Sequence, residues 1–221
     1  MGYHQTFAAN ETGRDFVLGD LHGMYQQLTE AMAKVQFDPD KDRMFSVGDL
    51  IDRGPDSIKC LKLLNESWFA SVQGNHERMM IDALKYADSN MYSMWLMNGG
   101  SWSLDADEQE VQSWLDSLDN LPLTLTIEQP DGQRVGICHA EFPLDSWNQR
   151  DEATHPSDKS SASLLWGRDQ IRHKKERTIA DVSRVYLGHT PVDHITVLGN
   201  CWFIDTGCFQ TDRLTLLEIQ L

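Results

Sequence analysis

Met44-Phe45-Ser46-Val47-Gly48-Asp49-Leu50-Ile51-Asp52-Arg53-Gly54 is a short, largely apolar run that stops at a glycine and is followed at once by two carboxylates and a guanidinium. The run reads as a buried strand. The same grammar recurs on both sides of it. Residues 16–18 lead into Gly19-Asp20-Leu21-His22-Gly23, and residues 69–72 lead into Gly74-Asn75-His76-Glu77. Residues 134–138 end at His139-Ala140, residues 185–187 at Gly188-His189-Thr190, and residues 201–204 at Asp205-Thr206-Gly207. In α/β sheets ligands bind beyond the carboxyl ends of strands, where glycine lets the backbone turn sharply and neighbouring side chains converge.

Between the early strands lie helical patterns. Residues 25–35 carry Leu28, Met32 and Val35 at helical spacing, residues 57–65 carry Ile58, Leu61 and Leu64, and residues 79–86 continue from the Asn75-His76-Glu77 tip. After Trp114 the connections shorten. Residues 123–127 and 134–138 flank the Asp131-Gly132 turn as a hairpin, and residues 214–219 form a closing strand. The expected fold is α/β: a mixed β-sandwich flanked by helices, with the polar tips gathered at the carboxyl ends of its strands. One domain over residues 1–221 is expected, with the polar stretch 148–163 as a mobile surface loop.

Composition narrows the classes. The chain has 221 residues, 40% of them hydrophobic and 24% charged, and a formal net charge of -15. That charge repels a phosphate backbone, so a broad nucleic-acid surface is not expected, whereas the acidic residues suit bound cations. No run is long and apolar enough to span a membrane, and the N-terminus is polar where a signal peptide would be apolar, so a cytoplasmic protein is expected. Met1-Gly2-Tyr3-His4-Gln5-Thr6 fits the loose myristoylation pattern and is read as a chance match. Cys60, Cys138, Cys201 and Cys208 form no metal or redox spacing and read as small core residues.

Taken singly, an aspartate after a strand caps a helix and a histidine there fills a core. Taken jointly, the tips at Asp20, Asp49, Asn75, His139 and His189 are hard to explain as structure, because chance agreement multiplies down with each motif. A set of carboxylate, imidazole and amide donors suits Mn²⁺ or Fe²⁺ better than an all-oxygen Mg²⁺ site or a thiolate Zn²⁺ site.

The set resembles the PPP-type metallophosphatases, most closely the short branch that holds the bacteriophage lambda protein phosphatase and the bacterial serine/threonine-protein phosphatases. The likeness runs from about Asp15 to the C-terminus. The resemblance implies the calcineurin-like metallophosphoesterase fold and two divalent metal ions, Mn²⁺ first, with Fe²⁺ or Zn²⁺ as alternatives. It implies one metal on Asp20 and His22, a second on Asn75, His139 and His189, and Asp49 bridging them, with in-line attack on phosphorus by a hydroxide between the metals. It further implies Arg53 and Arg168 as phosphate-binding arginines, His76 as general acid and Asp52 as the residue that orients it. Arg172 and Arg177 lie close enough in sequence to stand in for Arg168.

His4, His155, His173 and His194 lack motif context and read as surface residues, and Trp68, Phe69, Trp95, Trp102 and Trp114 read as core packing. Two departures stand out. The branch usually has Asp-Tyr-Pro where this chain has Glu141-Phe142-Pro143, and the tyrosine that eukaryotic relatives hold over the metals has no counterpart in Asp205-Thr206-Gly207-Cys208-Phe209. An open, tolerant site is expected. The resemblance implies a phosphatase of phosphoserine and phosphothreonine in phosphorylated proteins or peptides, tolerating phosphotyrosine and small aryl phosphates. The rival enzyme is a symmetrical diadenosine-tetraphosphate hydrolase, a longer group that lacks the aspartate of the Asp-Arg pair and has Asn-His-Asp for Asn-His-Glu. A phosphopeptide-binding module that has lost catalysis is a third reading, disfavoured because every mapped residue is present.

Overall fold

The computed structural model describes residues 3–153 and 159–219. Its strands are β1 (His4–Phe7), β2 (Asp15–Leu18), β3 (Arg43–Ser46), β4 (Phe69–Ser71), β5 (Thr124–Glu128), β6 (Arg134–Cys138), β7 (Arg184–Leu187), β8 (Thr196–Leu198), β9 (Cys201–Phe203) and β10 (Leu216–Glu218). Its α-helices are α1 (Tyr25–Lys34), α2 (Ser57–Lys62), α3 (Asn75–Leu84), α4 (Ser89–Met97), α5 (Glu108–Asp119), α6 (Arg150–Ala153), α7 (Lys159–Trp166), α8 (Asp169–Arg172) and α9 (Cys208–Thr211). None is long and apolar enough to cross a membrane.

The strands form a six-stranded sheet in the order β1-β5-β6-β7-β9-β8 and a four-stranded sheet in the order β10-β2-β3-β4. Strands β2, β3 and β4 run parallel, as do β6, β7 and β9, so the carboxyl ends within each set lie at one edge. Side chains alternate between layers with the period of a strand. Val17, Phe45 and Val47 of the smaller sheet meet Leu125, Ile127, Val135, Ile137 and Tyr186 of the larger in one inter-sheet cluster. Their neighbours Phe16, Leu18 and Met44 face outward onto Leu28, Leu61, Met80, Trp95 and Leu118 of the helical layer. On the far side Val185, Leu187, Cys201 and Phe203 pack on Phe142, Trp147, Leu164 and Ile179. With both faces of each sheet covered, the strands read as unbroken apolar runs. Each fully buried Leu, Val or Phe contributes about 1.5–3 kcal/mol of transfer free energy. The four cysteines are buried and free.

Several elements differ from the expectation. Strand β1 is partly exposed and mostly polar, yet it pairs in parallel with β5. The stretch 148–163 is helical in its described parts, because Leu164 and Leu165 bury themselves while the carbonyls of Ser163 and Leu164 accept Glu141 N and Ala140 N. Residues 154–158, with His155, lie outside the described residues, as do Met1 and Gly2 of the myristoylation pattern. Helices α4 and α5 carry the region between the third and fourth expected strands.

One side chain joins the strand tips. Glu77, in the first turn of α3 and fully buried, accepts Gly74 N at 2.8 Å, Asp49 N at 2.9 Å and Leu50 N at 2.8 Å. Burial and the neighbouring Asp49 push its pKa up to about 7. Removing it strands three buried donors at about 1 kcal/mol or more each. Glu77→Ala is therefore expected to lower unfolding free energy by about 3 kcal/mol or more, read from the urea midpoint at unchanged slope; a loss under about 1 kcal/mol would show that the fan does not hold the tips.

His4, expected at the surface, is half-buried, with Nδ1 2.8 Å from Thr124 Oγ1 and Nε2 3.1 Å from Thr6 Oγ1. Burial, with Arg150 nearby, pushes its pKa from 6.5 down to about 4. The unfolded chain then binds more protons than the native one between those values. Stability present above pH 6.5 is lost as pH falls toward 4, by up to about 1.4 kcal/mol per pH unit before solvent screening reduces it. His4→Gln should flatten the stability profile in that window; an unchanged acid limb would remove His4 from it.

Candidate metal centre and active site

The tips meet because the backbone ties them together. Leu21 N and His22 N both donate to Asp49 O, at 3.0 and 2.9 Å, which joins the ends of β2 and β3. His76 N donates to Asp49 Oδ1 at 3.0 Å, joining α3 to the same residue. Across the sandwich, His139 Nδ1 donates to Val47 O at 2.8 Å, and His189 N donates to Asp20 Oδ2 at 3.0 Å. The turn at Gly48 has φ +95, and a β-carbon there would lie 2.7 Å from Gly74 N. The crossing of the two tips therefore admits only glycine.

Asp20, His22, Asp49, Asn75, His139 and His189 are all buried. Backbone strain collects on the same ground. Among the described residues, His22, Asp49, Asp52, Arg53 and His189 all have positive φ, between +45 and +75. For residues with a β-carbon this conformation costs roughly 1–2 kcal/mol each, and such strain clusters where surrounding contacts fix a functional geometry.

Two groups of donors converge, each with its ligand atoms within 4.8 Å of one another: Asp49, His139 and His189, and His22, Asp49 and His76. Asp49 belongs to both. Asn75 Oδ1 lies 2.8 Å from His139 Nε2 and 2.7 Å from His189 Nδ1, while Asp49 Oδ1 lies 3.5 Å from His139 Nε2 and Asp49 Oδ2 lies 3.6 Å from His22 Nε2. Ligands at right angles around one ion, each about 2.1 Å from it, stand about 3 Å apart. The donor spacing fits divalent cations.

Electrostatics fits as well. Burial pushes the pKa of His22 and His189 down to about 3 and lowers that of His139, so these imidazoles are neutral lone-pair donors at pH 7. Ile51 O and Val47 O take the Nδ1 protons of His22 and His139, leaving each Nε2 free to donate its lone pair. Burial, then Asp205 and Asp49, raises Asp20 well above the carboxylate range, and burial with Asp49 pushes Asp205 up to about 6. A buried cluster of carboxylates that repel one another calls for cationic charge beyond the two nearby guanidiniums. Asp205 was not among the residues singled out by motif, although it too follows a strand. Asp20 stands outside both donor triads, its oxygens turned to His189 N, and His76, expected beside the cluster, lies within one.

Arg53 Nη1 lies 2.7 Å from His22 Nε2, and its Nη2 lies 3.0 Å from His76 Nε2. Arg168 Nε donates to His189 Nε2 at 2.9 Å. Both guanidiniums line a cavity of about 460 Å³ with His189, Met97 and Phe209. Arg172 is exposed, and Arg177 is spent on the carbonyls of Phe142 and Leu144. Glu141 accepts Asp169 N at 2.9 Å and Gln170 N at 3.2 Å, so it holds the start of α8 beside Arg168, while Phe142 is buried in the core. Phe209 lines the same cavity, its ring 4.5 Å from the Arg53 guanidinium and 5.4 Å from the His22 ring.

His76 Nδ1 donates to Asp52 Oδ2 at 2.6 Å, both groups buried. Burial works against a charged His76, but Asp49 and Asp52 outweigh it and raise its pKa. Trp95 and Trp102, expected as packing alone, both aim their indole N–H at Asp52. His173 and His194 are at the surface as expected.

Residues 16–212 match the family model described as calcineurin-like phosphoesterase. The serine/threonine-protein phosphatase 1 of Salmonella typhimurium strain LT2 is 35% identical over 98% of this chain and 97% of its own length. The symmetrical bis(5'-nucleosyl)-tetraphosphatase of Photorhabdus laumondii is 42% identical, over 28% of this chain and 23% of its own length. A solved protein serine/threonine phosphatase from Saccharomyces cerevisiae superimposes with a TM-score of 0.61 at 16% identity, over 100% of this chain and 84% of that one. The chain belongs to the calcineurin-like phosphoesterase family, within the PPP-type branch of bacterial phosphatases.

Proposed function

We propose that this enzyme hydrolyses phosphoserine and phosphothreonine in phosphorylated proteins or peptides, with tolerance for phosphotyrosine and small aryl phosphates. The observation that carries the reading is the 2.6 Å His76–Asp52 pair, set beside two converging donor groups and two arginines that face one cavity. Near-full-length likeness at 35% identity to a bacterial serine/threonine phosphatase supports the substrate class, whereas symmetrical tetraphosphatases match over 28% of the chain at 42% identity or over 66% of it at 28–31%.

In this reading Asp20, His22, Asp49, Asn75, His139 and His189 hold two divalent cations, with Asp49 shared. The mixed nitrogen and oxygen donor set favours Mn²⁺, ahead of Fe²⁺ and Zn²⁺. Bound there, the cations supply Lewis acidity to the phosphoryl oxygens and bring the pKa of a water toward neutrality. Arg53 and Arg168 present planar forks to the same oxygens. His76, its Nδ1 held by Asp52, donates a proton from Nε2 to the departing alkoxide of the serine or threonine side chain. Asp52 keeps the imidazole in the tautomer and orientation that this donation needs.

Asp49→Asn should lower bound manganese below two ions per chain, measured by elemental analysis after gel filtration; full occupancy would contradict the shared ligand. His76→Asn should retain metal and slow hydrolysis of a phosphoserine peptide by about 10² to 10⁴. Assayed side by side, the phosphopeptide should be preferred over diadenosine tetraphosphate; the reverse preference would overturn the substrate class.

A further inference from the structure

Asp52 makes more hydrogen bonds than its partnership with His76 requires. Its Oδ1 accepts Trp102 Nε1 at 2.7 Å and Trp95 Nε1 at 3.1 Å, and its Oδ2 accepts Trp95 Nε1 at 3.0 Å beside His76 Nδ1 at 2.6 Å. The carboxylate is fully buried, as is Trp95. Indole N–H is a donor only and gives up no proton near neutral pH. Two indoles can therefore fix the rotation of a carboxylate and satisfy its lone pairs without neutralising its charge, as a lysine or arginine would.

The segment that supplies the indoles is built onto the Asp52-Arg53 turn. Asp52 and Arg53 have φ +75 and +69, a pair of left-handed residues that needs external support. Ser57 Oγ accepts Asp52 N at 3.0 Å, and Gly99 O accepts Arg53 N at 3.3 Å. Gly99, between the two tryptophans, has φ +110, and a β-carbon on it would lie 2.6 Å from Arg53 N. The rings of Trp95 and Trp102 meet edge to face, with centroids 6.2 Å apart. End of helix, glycine turn and following 3₁₀ turn (Gly100–Leu104) thus form one clamp, and both of its indole N–H groups point at the residue that holds His76.

We propose that Trp95 and Trp102 are positioning residues for the acid step, acting through Asp52 to hold His76 in line with the leaving oxygen. The inference rests on the reading of His76 as general acid. It carries a substrate consequence. Alkyl phosphoesters such as phosphoserine leave as strongly basic alkoxides and need the proton, whereas 4-nitrophenolate leaves without it. The indole clamp therefore matters most for phosphoserine and phosphothreonine.

The test compares the manganese-loaded wild type with Trp102→Phe and Trp95→Phe on a phosphoserine peptide, phenyl phosphate and 4-nitrophenyl phosphate. A further protein carries β-(3-benzothienyl)alanine at position 102, which keeps the shape of indole and replaces its N–H by sulfur. Metal content and thermal midpoint are measured for each. The expected result is a kcat on the phosphopeptide about tenfold lower, with KM within about twofold, and a loss that shrinks to about threefold or less on 4-nitrophenyl phosphate. The benzothienyl protein should show the same grading with an unchanged midpoint. An equal loss on all three esters, or no loss with the benzothienyl protein, overturns the inference. His76→Asn separates the two ideas: if it grades with the leaving group while the tryptophan variants do not, the clamp falls and the acid stands. If His76→Asn itself shows no grading, both fall.

Discussion

The turn at Asp49 is the constraint on which the rest depends. Its carbonyl accepts the N–H groups of Leu21 and His22, its Oδ1 accepts His76 N, and its own N–H goes to Glu77. One residue at the end of β3 thereby sets the position of the β2 tip, the N-terminus of α3 and the imidazole that α3 presents. Gly48 lets this happen, because any side chain there would strike the α3 tip. Displacing the turn would move both donor triads at once, since Asp49 belongs to each.

Around that turn the molecule concentrates two costs. Buried carboxylates and imidazoles are expensive in an apolar sandwich, and left-handed backbone at five of the candidate residues adds strain. The inter-sheet core offsets both, because its apolar strands run to within one or two residues of each tip. The cost is spent on geometry: donors held without freedom to reorganise serve charge stabilisation better than flexible ones. Burial also keeps the histidines neutral, the form in which they donate lone pairs, while Asp49 and Asp52 favour the proton on His76. Similar rings on neighbouring tips thus have their pKa values shifted in opposite directions, by burial in one case and by flanking carboxylates that outweigh burial in the other.

Helices α4 and α5 show what a motif reading misses and why. The α5 signal was present: Asp107 caps at Glu110 N, and Val111, Trp114, Leu115 and Leu118 are buried at helical spacing. The α4 signal was weak, since Ser89–Met97 is apolar nearly all round and no single face stands out. Reading Trp95 and Trp102 as core was half right. Their rings do pack in the helical cluster, but nothing local in sequence tells an indole with a buried carboxylate partner from one without. Phe209 is a similar case: no tyrosine stands in its loop, yet the ring reaches Arg53 and His22.

From the sequence alone came the strands with their glycine-led polar tips, the two-layer sandwich, and the names of the residues that would have to meet. These are properties of short windows: apolar runs, period-two alternation and turn residues are local consequences of strand geometry. Tertiary structure decided the rest. It put His76 inside one donor triad and turned Asp20 toward His189 N, gave Glu77 its three backbone partners, chose Arg168 over Arg172 and Arg177 to face the cavity, and brought Trp95 and Trp102 onto Asp52, more than forty residues away in sequence. Such contacts depend on how separate elements pack against one another, and that packing is settled only when both sheets and the helices share one core.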